Sequence, residues 1–482
     1  MSRERSPTRT PAAPAGLVRA LGRLDTMLFV ITAVVVLDTI GAVAVGGPEA
    51  FSWLALMGIA FLVLSALLTA ELGAAFPAEG GHYVWTRLAF GRVAGAVSAL
   101  LYWIETPIWI GGSLAITAIA VVEEFATPLG HGGRLVFALA FVWSAVGAAV
   151  LPIRLGRLVP ASGAIARVAL VALFSATVVV YAAVHGVHGL AAGELEPTRA
   201  GFAALVPVLL YNYLGFDVPS AAAGEMRDPQ RDLPAGILRA GAWTFALYAV
   251  PVLATLLVLP PERITGLTGF VSAIREVFTV YGPAGTVLGG GAGLLLIWVL
   301  VTSGATWLMA SARSQAVACL DGAGPRRLGA FSAHGAPARL AVVSGVVATG
   351  VSLATFSVAG SSAERYFVVA LSLSITVIAL SYVAIFAAPI RLRRTHGHVA
   401  RPFRVPGGAI GLWTCSALSL AWTLAALVLL LWPPELPAAF RDDRMTFQLT
   451  QVVPLVLLVA CGLAFASLGR RTTPEPHAFT RE

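Results

Sequence analysis

The fold of this chain is decided by a stretch from Leu209 to Ser220 that reads LLYNYLGFDVPS. It lies inside a long apolar run, where a membrane-spanning helix is expected. Within five residues the stretch carries Gly215, Asp217 and Pro219. Glycine and proline weaken helical hydrogen bonding, and a carboxylate at membrane depth usually faces a cavity or a partner. The stretch therefore predicts a transmembrane helix that is broken near its middle, as in the substrate sites of secondary transporters.

The rest of the chain has the composition of one integral membrane domain. Of its 482 residues, 58% are hydrophobic and only 12% are charged. Twelve apolar runs reach the roughly 20 residues that are needed to cross the hydrocarbon core. We therefore predict an all-α integral membrane protein with 12 transmembrane helices embedded in a lipid bilayer. This overrides the roughly three soluble domains that the length alone suggests.

The predicted boundaries divide the chain into three parts. Residues 1–23 are rich in arginine, proline and alanine and are predicted to form a cytoplasmic N-terminal tail, since no signal-peptide cleavage pattern follows. Residues 24–470 are predicted to form the transporter domain, and residues 471–482 a cytoplasmic C-terminal tail. Within the domain, the predicted spans occupy three blocks: repeat one at about 24–185, repeat two at about 201–390, and helices 11 and 12 at about 408–468.

The charge pattern predicts the orientation in the membrane. All 32 basic residues are arginine, and the formal net charge is +8. Twenty-four arginines fall in the segments predicted to be inside and seven in the outside loops, while Arg167 lies within span 5. This asymmetry follows the positive-inside pattern. It predicts a multi-pass cell-membrane protein with both termini in the cytoplasm, and it argues against nucleic acid as a partner.

A second interrupted span matches the first. Span 1 contains Leu37–Val43, LDTIGAV, in which Asp38 again stands beside a mid-span glycine, Gly41. Spans 1 and 6 are five spans apart, and an odd offset places the second unit upside down relative to the first. We therefore predict a 5+5 inverted repeat with broken helices 1 and 6, followed by two C-terminal helices.

Two broken helices predict a substrate site between them. A break exposes free N–H groups on one half and free C=O groups on the other, which attract a carboxylate and an ammonium group respectively. An amino acid carries both groups. Asp38 and Asp217 would add negative charge near the ammonium, and an amine or diamine would satisfy these carboxylates equally well. Close helix packing is the alternative explanation for Gly41.

Two further charged residues are predicted at membrane depth. Glu105 stands beside Pro107 in span 3, where it either faces a cavity or pairs with Arg167 of span 5. Both residues are candidates for coupling or gating. Glu71, near the cytoplasmic end of span 2, is predicted to pin a loop.

Three motifs resemble the amino acid–polyamine–organocation (APC) superfamily of permeases over about residues 17–470. They are the segment Ala70–Trp85, with AELG followed by a Gly-Gly loop, the segment Tyr211–Pro234, and the segment Ser311–Pro325. The resemblance implies the five-plus-five fold, alternating access, and a site flanked by spans 3, 8 and 10. It also implies backbone capture of a carboxylate in span 1 and an aromatic cap in span 6. The predicted substrate-binding residues are Asp38, Thr39, Ile40, Gly41, Ala42, Gly215, Phe216 and Asp217.

The chain departs from the family pattern at three places. Span 1 keeps only the first glycine of the usual glycine-rich run, which weakens the case for carboxylate capture at Gly41 and Ala42. Most members have glutamate at the position of Asp217. Members resembling plant polyamine permeases often have aspartate there, which favours the amine alternative. Arg167 falls where some proton-coupled members have a titrating lysine. Arginine does not deprotonate in proteins, so proton coupling would require Asp217, Asp38 or Glu105.

The prediction is a secondary active transporter that moves amino acids by alternating access, coupled to protons or to a counter-substrate. The alternative is a transporter of polyamines or other organic amines, and a transporter-like nutrient sensor ranks third. Enzymatic activity, a cofactor and a metal site are not predicted, since no nucleophile–base or metal set is recognisable at membrane depth. None of the eight histidines is placed within a span.

Overall fold

The computed structural model describes residues 19–357 and 363–470. Residues 1–18 of the predicted N-terminal tail and the whole predicted C-terminal tail, residues 471–482, therefore lie outside the described residues. The described part is helical, and its β contact is an isolated bridge between Leu21 and Met226. Hydrogen bonds from the amides of Ala20 and Leu21 to the carbonyl of Glu225 reinforce that bridge. The segment before span 1 is thereby tied to the end of span 6.

In the described ranges, eleven helices are long and apolar enough to cross a membrane. They are Arg23–Ala44, Glu49–Ala75, Arg92–Phe125, His131–Ala149, Leu158–His185, Pro229–Val258, Pro283–Leu320, Ala338–Phe356, Ala363–Thr395, Gly408–Leu431 and Arg444–Gly469. They correspond to predicted spans 1–5 and 7–12. Span 6 is missing from this set because it is divided into two short pieces, so the exact count of twelve and the inverted repeat remain predictions.

Span 1 is broken just before Asp38. Its first half, Arg23–Val34, ends where Val35 and Val36 adopt extended backbone, and a 3₁₀ turn then leads into the second half, Ile40–Ala44. A helix end buried in a membrane needs partners for its last carbonyl groups. Side chains from other spans supply them. Arg167 donates to the carbonyls of Thr32 and Val35, Trp307 to that of Ala33, and Tyr248 to that of Val34.

Span 6 is broken at the stretch that opened the sequence analysis. An α-helix, Arg199–Asn212, is followed by a 3₁₀ helix, Val218–Glu225. Between them Gly215 has φ of +106°, a conformation that favours glycine. A Cβ atom there would lie 2.9 Å from the Trp307 ring, so the position requires glycine for space as well. The sequence prediction that helices 1 and 6 are broken is confirmed.

Span 3 differs from the prediction. The sequence places its interruption at Glu105-Thr106-Pro107, yet the helix continues regularly to Trp109. The irregularity is a π-helical turn at Ile110–Leu114, where Gly112 leaves helical geometry. Pro107 removes one backbone hydrogen-bond donor, but the helix can continue after it. Gly112 has no side chain to restrict its backbone, so the irregularity occurs there.

The segment after span 2 also differs from the predicted loop. It contains a ten-residue helix, Gly81–Phe90, which we call the inner helix. The inner helix packs among spans 3, 8 and 10 and the second half of span 6. Shorter helical pieces connect the remaining spans: Ile153–Gly156, Ala192–Leu195, Pro261–Arg263, Gly269–Phe278, Thr279–Tyr281, Arg326–Gly329 and Ala438–Phe440.

Candidate functional site

Asp38 lies directly after the break in span 1 and is buried, with 2% of its surface exposed. Its Oδ2 accepts hydrogen bonds from Trp109 Nε1 at 3.1 Å and from Ser113 Oγ at 2.9 Å, both from span 3. Its Oδ1 is buried and has no hydrogen-bond partner among the described residues. A buried carboxylate oxygen without a partner is costly, so this atom is suited to a cationic ligand.

Glu105 provides a second buried carboxylate, 1% exposed. Its Oε1 accepts a hydrogen bond at 2.9 Å from the hydroxyl of Tyr211, which belongs to the first half of span 6. The sequence left open whether Glu105 pairs with Arg167. The guanidinium of Arg167 binds oxygens of spans 1 and 8 instead, and within the described ranges neither Asp38 nor Glu105 forms an ion pair.

Aromatic rings connect these acids to the rest of the site. The ring of Trp109 lies 6.2 Å from that of Tyr211 and 6.4 Å from that of Trp307, measured between centroids. Tyr102 lies 5.8 Å from Trp307 and 6.5 Å from Tyr382. The five rings come from spans 3, 6, 8 and 10. Together they form an aromatic wall, and aromatic faces attract organic cations.

Asp217 lies at the far end of this aromatic wall. It is 1% exposed. The hydroxyl of Tyr382 donates to its Oδ1, and His82 Nδ1 lies 3.2 Å from its Oδ2. Asp217 therefore already has protein partners on both oxygens, whereas Oδ1 of Asp38 has none among the residues that the structure describes. The predicted acids thus occupy two places, with Asp38 and Glu105 towards one end of the wall and Asp217 at the other.

His82 is a buried polar residue that the sequence analysis placed in the loop after span 2. Its imidazole is 1% exposed, stacks on Tyr102 with centroids 4.0 Å apart, and contacts Ser98 and Ser381 through Nε2. The signal that could have located it is the preceding pair of glycines. A Cβ atom on Gly81 would lie 2.1 Å from Ser220 Oγ, so this glycine brings the inner helix into close contact with span 6.

The other predicted residues of the two breaks lie around these acids. Gly215 donates its N–H to the Tyr382 hydroxyl at 3.1 Å. Phe216 is buried and faces Gly241 of span 7. Thr39 donates its hydroxyl to the carbonyl of Val36, and Ile40 is buried. These contacts stabilise the breaks themselves.

Gly41 and Ala42 lie beneath an outer loop. A Cβ atom on Gly41 would lie 2.7 Å and 2.6 Å from the carbonyl oxygens of Thr265 and Gly266. The carboxylate of Glu364, in span 10, accepts the N–H groups of Gly266 and Leu267 at 3.1 Å each and holds that loop in place. Gly41 therefore allows the loop to close over span 1.

We expect the Gly41→Ala substitution to destabilise this closed contact. The new methyl group would meet two backbone oxygens that cannot move independently, and overpacking of this kind costs about 1–3 kcal/mol. Thermal unfolding of the purified protein in detergent would measure the loss. Gly290→Ala is the matched control, because nothing lies within 4 Å of the added methyl group there. Equal unfolding temperatures for both variants would contradict the packing role of Gly41.

Arg167 is fully buried in span 5, as predicted, and none of its described partners is a carboxylate. Its guanidinium donates to Thr32 and Val35 of span 1, and to Val299 and Ser303 of span 8. The end of a half-helix carries partial negative charge, so the guanidinium acts as a fixed cation at the break. It braces spans 1, 5 and 8 against one another.

Two clusters of ion pairs connect helices and loops on the predicted cytoplasmic side. Arg313 of span 8 binds Glu79 at 2.8 Å and Glu225 at 3.1 Å. Burial raises the pKa of the loop residue Glu79, and the Arg313 guanidinium opposes that increase. Glu71 binds Arg393 and accepts the N–H of Val405 at 2.7 Å, which joins span 2 to the loop between spans 10 and 11. Within the described ranges, no group of three or more His, Cys, Asp and Glu residues could hold a metal ion.

Two helices that are each broken at a buried carboxylate, within a bundle of membrane-spanning helices, are typical of secondary transporters. The amino acid permease family model matches residues 21–464. The chain therefore belongs to the amino acid permease family, as the motifs predicted.

Relatives and solved structures agree with this assignment. The chain is 25% identical to a probable agmatine/putrescine antiporter of Lactococcus lactis, over 91% of this chain and 92% of that protein. It is also 25% identical to an uncharacterized transporter of Legionella pneumophila, over 86% and 90%. A crystal structure of a manganese transporter from Eremococcus coleocola superposes with a TM-score of 0.58 at 11% identity, over 94% and 95%. That likeness supports the fold alone.

Proposed function

We propose that this permease moves small organic amines across the cell membrane by alternating access, and that its preferred substrates carry two cationic groups. Asp38 carries the argument, because its Oδ1 is buried without a hydrogen-bond partner among the described residues. Glu105 is a second buried carboxylate without an ion-pair partner there. Two such acids at one end of an aromatic wall complement a diamine or a guanidino-amine better than a zwitterion.

The broken end of span 1 supports the same substrate class. We predicted that free carbonyl groups there would attract an ammonium group. In this conformation Arg167, Trp307 and Tyr248 already bind those carbonyls. The charge of a bound ammonium would therefore be met by the carboxylates of Asp38 and Glu105. The probable agmatine/putrescine antiporter of Lactococcus lactis provides a relative whose named substrates fit this chemistry.

Amino acid transport is the second candidate, and the family to which the chain belongs favours it. In that case the amides of Gly41 and Ala42 would hold the substrate carboxylate while Asp38 held the ammonium. The outer loop at Thr265 and Gly266 covers Gly41 in this conformation, so capture there would require the loop to move. For either class of substrate, we also propose that both termini lie in the cytoplasm.

Transport by purified protein in liposomes would test the proposal. The panel consists of labelled putrescine, agmatine, arginine, leucine and glutamate, each measured with and without unlabelled substrate inside and with and without an inward proton gradient. We expect putrescine or agmatine to be taken up fastest, with stimulation by internal amine. Uptake of leucine or glutamate with exclusion of both amines would establish the amino acid candidate instead. Binding without flux for every compound would indicate a sensor.

A further inference from the structure

His82 lies where the inner helix closes against the broken part of span 6. Gly80 donates its N–H to the carbonyl of Ala221 at 3.1 Å, and Gly81 lies against Ser220. We refer to this contact between the inner helix and residues 217–221 as the inner gate. We propose that His82 is the proton-binding residue of the inner gate, and that a proton on His82 holds the gate closed; this rests on the proposed transport function.

Both nitrogens of the imidazole have partners that suit two protonation states. Nδ1 lies 3.2 Å from Asp217 Oδ2, while Nε2 lies 3.0 Å from Ser98 Oγ and 2.7 Å from Ser381 Oγ. A hydroxyl group donates or accepts by rotating its hydrogen. Neutral His82 can therefore donate to Asp217 and accept from a serine, and protonated His82 can donate to both sides. A proton can be gained or lost without rebuilding the site.

The surroundings of the ring contain a single formal countercharge, Asp217, within the described part of the chain. Span 3 contributes Tyr102 and Ser98, and span 10 contributes Tyr382 and Ser381, all of them uncharged. The nearest charged groups on the neighbouring elements are engaged elsewhere: Glu105 with Tyr211, Arg313 with Glu79 and Glu225, and Asp321 with Tyr83 and Arg87. The proton on His82 is therefore balanced chiefly by Asp217.

The direction of the effect follows from linkage. In the closed gate the imidazolium sits against the Asp217 carboxylate, and opening the gate separates the two elements that carry them. The closed state therefore binds the proton more tightly, and by reciprocity the bound proton disfavours opening by the same factor. Histidine ordinarily changes charge between about pH 5 and about pH 8. Acid should hold the inner gate closed, and alkali should release it.

The test compares amine exchange in liposomes at about pH 5 and about pH 8. For the natural protein we expect the maximal exchange rate to fall about tenfold at the acid pH. The His82→Gln variant should lose this fall, because glutamine can hydrogen-bond to Asp217 and to the serines but gains no charge. Asp217→Asn should lose it as well, because an amide does not stabilise an imidazolium. His334→Gln is the matched control, since His334 lies on an exposed loop, and it should keep the full fall.

A second measurement does not depend on the substrate. A cysteine introduced by Ala221→Cys, in a variant whose three natural cysteines are replaced by serine, would report opening through its reaction with a membrane-impermeant maleimide. At about pH 5 we expect the rate of labelling to be about tenfold higher with His82→Gln than with His82 present, and nearly equal at about pH 8.

The two measurements separate this inference from the proposed function. Exchange and labelling profiles that His82→Gln leaves unchanged would overturn the role of His82, whatever the substrate. Absence of exchange for every amine and amino acid in the natural protein would overturn the transport proposal. The labelling ratio would still decide whether His82 controls the gate in that case.

Discussion

Replacing Asp38 with asparagine is expected to raise the KM for a diamine about 100-fold, which corresponds to about 3 kcal/mol of binding free energy. The amide oxygen of asparagine can still accept hydrogen bonds from Trp109 and Ser113, which bind Oδ2 in the natural protein. The fold of the break is therefore preserved. What is lost is the negative charge that faces the substrate ammonium.

Initial uptake rates of labelled putrescine over a range of concentrations would measure this effect. Glu105→Gln should raise the KM in the same direction, because the second ammonium loses its countercharge. The control is Glu123→Gln, which removes a carboxylate near the end of span 3 that pairs with Arg134 at the start of span 4. An unchanged KM for putrescine in Asp38→Asn would remove Asp38 from the binding site. A KM that rises equally for leucine and putrescine would show that Asp38 binds an α-ammonium group instead.

The broken spans were predictable because they violate a strong rule in a recognisable way. A membrane helix with glycine and a carboxylate at mid-depth has few physical explanations, and both breaks appear where the rule is violated. Long apolar runs similarly predicted the other helices. The apolar run at about 159–184, for example, predicts span 5, and the helix found there is Leu158–His185. These features depend on local sequence alone.

The composition of the site was less predictable, because it depends on how separate helices are rotated against each other. Trp109, Trp307 and Tyr382 are apolar-looking residues in long apolar spans, and nothing near them in the sequence indicates that they face one another. His82 was missed for the opposite reason. Its segment contains glycine, glutamate and histidine and has the composition of a loop, yet tertiary packing buries it. The pair Gly80 and Gly81 is the local feature of the sequence that indicates this burial, because both glycines lie in close contact with other helices.

Asp217 illustrates how a correct motif can leave the role of a residue open. The motif predicted an acid beside Gly215 at the break, and the acid is there. Its carboxylate, however, binds Tyr382 of span 10 and His82 of the inner helix, a segment that was predicted to be a loop. The predicted substrate contact and the proposed gate contact at Asp217 can both occur in one transport cycle, if the gate opens only after the substrate charge is balanced elsewhere. Asp38 and Glu105 provide that balance.

Replacing Arg167 with alanine is expected to produce the largest loss of stability. The carbonyls of Thr32 and Val35 are buried and depend on this guanidinium. Each buried polar group left without a partner costs about 1–3 kcal/mol, so the variant should lose roughly 4 kcal/mol of folding free energy. Because the broken end of span 1 would no longer be fixed to spans 5 and 8, the turnover rate should fall more than the affinity.

Thermal unfolding in detergent and exchange kinetics in liposomes would measure the two effects separately. Arg167→Lys is the informative companion variant, since it keeps a positive charge but replaces a planar group of five donors with a single ammonium. It should recover most of the stability and only part of the turnover rate, because one ammonium cannot reach spans 1 and 8 with the same geometry. Normal turnover with an altered KM in Arg167→Lys would contradict a bracing role. In that case Arg167 would act on the substrate. Its positive charge would then have to be counted together with the negative charge of Asp38 that faces the bound amine.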